Sequence, residues 1–73
     1  MGMNQKEFDN MIPQLINAID GYPENEFFLD DIYPNPQSHM GTFFHKAVDA
    51  GKFPNIEFME IVEGRADKYR KNN

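Results

Sequence analysis

The 73-residue sequence predicts an α+β fold of three helical segments, a short edge strand and a C-terminal β-hairpin. Three observations carry that expectation. Apolar residues recur at helical spacing in two separate stretches, from Phe8 to Ile19 and from Met40 to Val48. Between them, FFLDDIYPNP is cut short by two prolines and has room only for a few extended residues and a turn of helix. Beyond Pro54, IEFMEIV switches to β-branched and aromatic residues, Glu63-Gly64 supplies turn chemistry, and residues 66 to 70 can return as a second strand.

The first helix places Phe8, Met11, Ile12, Leu15, Ile16 and Ile19 on one face. Asn4 and Glu7 have the spacing of a capping box at its start. Pro13 lacks the N–H that would bond the carbonyl of Asp9, so the helix is expected either to kink there or to start afresh at residues 10 to 13. Gly21 ends it and Pro23 blocks any continuation. Residues 27 to 29 read as a strand that pairs at a sheet edge, and Asp30 as the cap of a short helix through Ile32 and Tyr33. Pro34 and Pro36 close that turn with a rigid connector. Ser38 is the expected cap of the third segment, which carries Met40, Phe43, Phe44, Ala47 and Val48. Gly51 stands where a left-handed residue is wanted after it. Rings at this spacing read as core before they read as a binding groove.

A chain of this length holds one core, and with no Cys it has neither disulfides nor thiolate metal sites. We read residues 1 to 73 as a single domain, with Met3 as an alternative start, no structural role for residues 1 and 2, and a disordered tail at 71 to 73. No apolar run approaches the ~20 residues of a membrane span, and the N-terminus lacks a secretory pattern, so the expectation is a cytoplasmic protein without a membrane partner.

Charge is unevenly placed. The first 63 residues carry Lys6, Lys46 and Lys52 against eleven carboxylates, a net of −8, whereas residues 64 to 73 carry Arg65, Lys68, Arg70 and Lys71 against Asp67, a net of +3. The acidic bulk repels nucleic acid and anionic lipid at long range, so phosphate binding would be local and salt-sensitive.

Two helices joined by a tight connector and followed by a hairpin form a winged-helix-like arrangement, with the tail cations on the hairpin, or wing. In IPQLINAI, ENEFFLDDIYP, HMGTFFHKAVDAGKFPNI and GRADKYRKN the chain also resembles a family of small single-domain proteins of Gram-positive bacteria and their mobile elements, a domain of unknown function. The resemblance implies a winged-helix-like fold and brings no catalytic residues.

Chemistry-bearing patterns are sparse. His39 and His45 are six apart, too far for one helical face to offer both to an ion. There is no nucleophile elbow, phosphate-cradling loop or zincin motif, and neither enzymatic activity nor a cofactor is expected. Two interaction readings remain. In the first, a nucleic-acid-binding regulator lays Arg65, Lys68, Arg70 and Lys71 along phosphates while Thr42, His45 and Lys46 of the third segment enter the groove. The countervailing expectation is that these cations pair with Glu57, Glu60 and Glu63 across the hairpin. In the second, an acidic module docks a basic protein through Glu24, Glu26, Asp30 and Asp31. Phe58 and Met59 are neighbours, so one of them faces away from the core, where it can meet a partner or the second copy of a homodimer.

Overall fold

The computed structural model describes residues 3–37, 39–64 and 66–72. Its elements, in chain order, are α1 (Gln5–Gly21), β1 (Glu26–Phe28), α2 (Leu29–Ile32), α3 (Met40–Asp49), β2 (Ile56–Ile61) and β3 (Asp67–Lys71). The strands form one antiparallel sheet in the order β1-β3-β2. The molecule is thus a small α+β domain of three helices and three strands.

The capping box forms as expected. The Asn4 side chain accepts from the Glu7 N–H at 2.8 Å, and Glu7 accepts from the Asn4 N–H at 3.2 Å. α1 runs through Pro13 as one 17-residue helix, so no fresh start occurs at residues 10 to 13. Its buried Phe8, Leu15 and Ile19 carry enough packing to hold the interrupted turn.

The other expectations shift by a residue or two. β1 starts at Glu26 rather than at Phe27. Asp30 is not the cap of α2: Phe28 precedes the helix, and the Asp31 carboxylate accepts from the Phe28 N–H at 2.9 Å. The Ser38 cap of α3 lies outside the described residues, and the residue flanking Met40 is His39, with a left-handed φ of 72° and no side-chain cap bond. Gly51 has the expected left-handed φ, +80°. Lys71, expected to open a disordered tail, is the last residue of β3, because its N–H bonds Asn25 at 2.8 Å and the Asn72 N–H bonds Asn55 at 2.6 Å.

The core is largely aromatic. Phe44 packs 4.8 Å from both Phe53 and Tyr69, and Phe27 lies 5.9 Å from Tyr69, so ring contacts join α3 to β1 and β3. Among the described residues, no helix is long and apolar enough to cross a membrane.

Candidate interaction surface

On β3, successive side chains alternate between faces. Tyr69 points into the core, where it is 1% exposed, so Lys68 and Arg70 point outward. Both outer neighbours of this central strand are acidic. The register sets Glu26 of β1 opposite Arg70, and Glu57 and Glu60 of β2 opposite Arg70 and Lys68. Lys68 bonds Glu26 at 2.8 Å and Arg70 bonds Glu57. The outer face is therefore an ionic ladder, two cations held between Glu26 on one side and Glu57 and Glu60 on the other. The Lys68 hydrogen bond and charge hold the Glu26 carboxyl below the usual carboxylate range, and Glu26 raises the Lys68 ammonium in return.

Lys71 turns the other way. Its ammonium donates to the carbonyl of Tyr22 and lies 5.9 Å from that ring. All three described tail cations named in the sequence are thus engaged within the chain, and Arg65 lies outside the described residues. The expected pairing across the hairpin holds for Arg70 with Glu57. For Lys68 the bonded partner sits on β1 instead.

Thr42, His45 and Lys46 do come together. With Gly41 they form one wall of an open groove of about 520 Å³, whose other wall is Ile61, Ala66, Asp67 and Tyr69 of the hairpin, with Leu29 between. His45 ties the two walls. Its Nδ1 is 3.0 Å from Asp67 Oδ2, its Nε2 is 3.5 Å from Asp49 of its own helix, and its ring lies 4.8 Å from Phe58. The Tyr69 hydroxyl donates to the same Asp67 oxygen at 3.4 Å, and burial first, then the Asp67 charge, push its ionisation far above that of a free phenol.

Ile61 is exposed at 73%. It stands on this groove because the β2–β3 register slips between Phe58 and Glu60. Strict alternation would send Ile61 to the face opposite Phe58, but the extra residue, Met59, restores it to the Phe58 face, opposite Asp67. Phe58 packs against the core, so Met59 is the one of the pair that is not held there. Sequence reasoning missed Ile61, Asp67 and Leu29 as groove residues. The turn at Gly64 was readable, but the bulge that re-aims Ile61 leaves no residue-type signature.

Glu24, Glu26 and Asp31 line a second open concavity of about 440 Å³ with Asn25, Phe28 and Lys68, whereas Asp30 is not part of its lining. Two of these carboxylates have internal duties, Glu26 to Lys68 and Asp31 to the Phe28 N–H. Comparison of the chain with family models, with curated proteins and with solved structures returned no match.

Proposed function

We propose that the chain is a winged-helix-like protein-interaction module that docks a basic partner. The winged-helix reading draws on the element order helix, strand, helix, helix, hairpin, on the sheet order β1-β3-β2, and on the sequence resemblance noted above. One observation carries the choice of partner: Lys68, Arg70 and Lys71 are engaged by Glu26, Glu57 and Tyr22, so the surplus that faces solvent is the chain's net −5. A surface of that sign steers and orients a cationic protein and resists a polyanion.

A second reading, nucleic-acid binding, is favoured by the groove that α3 and the hairpin share, since it gathers Thr42, His45 and Lys46 with Ala66, the sequence neighbour of Arg65. In this reading Lys68, Arg70 and Lys71 exchange their carboxylate and carbonyl partners for phosphates. That exchange costs the pairs they leave.

Titration at about 50 mM and about 200 mM salt separates the two. A Lys-rich peptide is expected to bind at the lower salt, and mixed-sequence duplex and single-stranded DNA are not. DNA binding that weakens steeply with salt and is lost in Lys46→Ser and Arg65→Ser would overturn the basic-partner reading. Lys46 is not a member of the ladder, and circular dichroism of both variants checks that folding does not confuse the result.

A further inference from the structure

We infer that the groove between α3 and the hairpin is the docking site, and that its occupant is an amphipathic basic segment of a partner protein. One or two branched apolar side chains of that segment pack against Ile61, and its Lys or Arg side chains reach the carboxylates around the groove. The inference rests on the basic-partner reading and adds to it the place and the shape of the ligand.

Ile61 is the exposed large apolar side chain among the described residues. Its position follows from the bulge at Met59, which brings it to the groove side of the sheet rather than leaving it among the charges of the outer face. The floor is already fixed: Tyr69 is 1% and Leu29 7% exposed, so an incoming apolar group meets a packed surface. The walls are fixed too, because the His45–Asp67 contact at 3.0 Å fastens the hairpin to α3. Charge complementarity selects the sign of the segment. The chain's net −5 sets that sign, and at the groove itself Asp67 in the lining and the exposed Asp49, one helical turn beyond His45, stand against Lys46, the cation in the lining. An apolar groove with surrounding carboxylates fits a segment in which leucine-like residues recur at helical spacing among lysines or arginines.

The test is an amide-resolved NMR titration of the whole chain, at about 0.15 M salt, with three synthetic peptides of equal length. One has Leu at helical spacing among Lys, one has Lys and Ser without Leu, and one has Leu among Glu. The Leu/Lys peptide is expected to shift the amides of Thr42, His45, Ile61 and Ala66 saturably. Ile61→Ser and Ala66→Lys, both at exposed positions, are each expected to weaken it about tenfold while leaving the remaining spectrum unchanged. If the shifts centre instead on Glu24, Glu26 and Asp31, or if neither variant weakens binding, the groove inference is overturned and the basic-partner reading stands. Equal binding of the Lys/Ser peptide in the groove also overturns it, because charge alone would then suffice. If no Lys-bearing peptide shifts any amide, or the Leu/Glu peptide binds as well, both readings fall.

Discussion

Tyr69 holds the core and the groove together at a single position. Its ring meets Phe27, Phe44 and Phe58, while its hydroxyl reaches the Asp67 carboxylate that also holds His45. Packing is expected to dominate. Tyr69→Ala should cost about 3–5 kcal/mol in urea denaturation, whereas Tyr69→Phe, which loses only the long hydroxyl contacts of 3.4 Å to Asp67 and 3.5 Å to His45, should cost about 1 kcal/mol or less. Comparable losses in the two variants would show that the hydroxyl, not the ring, carries the position. The Glu26–Lys68 pair makes a pH prediction. The depressed Glu26 carboxyl contributes stability that is complete above its unfolded value of about 4.3 and is lost as pH falls through its lower folded value. The raised Lys68 ammonium contributes below its ordinary value of about 10.4 and loses that contribution as pH rises through its higher folded value. Both groups are solvated, so the effect is small. Lys68→Met should flatten the acid limb of a stability-versus-pH curve, and an unchanged acid limb would remove the pair from the account.

At the scale of elements, what was legible depended on whether the cause was local. The Asn4–Glu7 box is a spacing of three residues and was readable. Asn4→Ala should cost about 1 kcal/mol, seen as a fall of about 4–8 °C in Tm. Gly51 and the hairpin turn were readable for the same reason, since a left-handed residue has few suitable side chains. Gly64 has φ +81°, so Gly64→Ala is expected to cost about 1 kcal/mol or more, and Gly64→Asn less, in thermal denaturation. Equal costs would mean that the turn relaxes to a negative φ. What escaped sequence reasoning was set across the sheet. Asp30 is the cap the sequence suggests, but the path of β1 puts Phe28 at the cap position and brings the next carboxylate, Asp31, to the Phe28 N–H. By sequence Glu26 belongs with the acidic partner-binding residues, yet pairing of β1 with β3 brings it to Lys68, more than forty positions away. The groove had the same difficulty: Thr42, His45 and Lys46 stood out as helical polar residues, but their opposite wall depends on a register slip.

For the molecule as a whole, the gathering of cations at the end of the sequence has a structural reason: β3 is the middle strand, and a middle strand of one sign between two strands of the other satisfies both neighbours. That arrangement leaves like charges at both margins of the sheet, Glu26 at one and Glu57 and Glu60 at the other. At neutral pH two such margins repel, which keeps one molecule's open hydrogen-bonding edge away from the next. Near the sequence isoelectric point of about 4.7 the net charge of the whole chain vanishes, and with it the general repulsion between molecules. Light scattering on acidification from pH 7 should therefore rise around that pH, and Glu57→Gln with Glu60→Gln should move the onset toward neutrality. Acidic borders on so small a sheet thus act as a safeguard against fibre-like growth, and a cell compartment or buffer that cancels the molecule's overall negative charge would expose the chain to polymerisation.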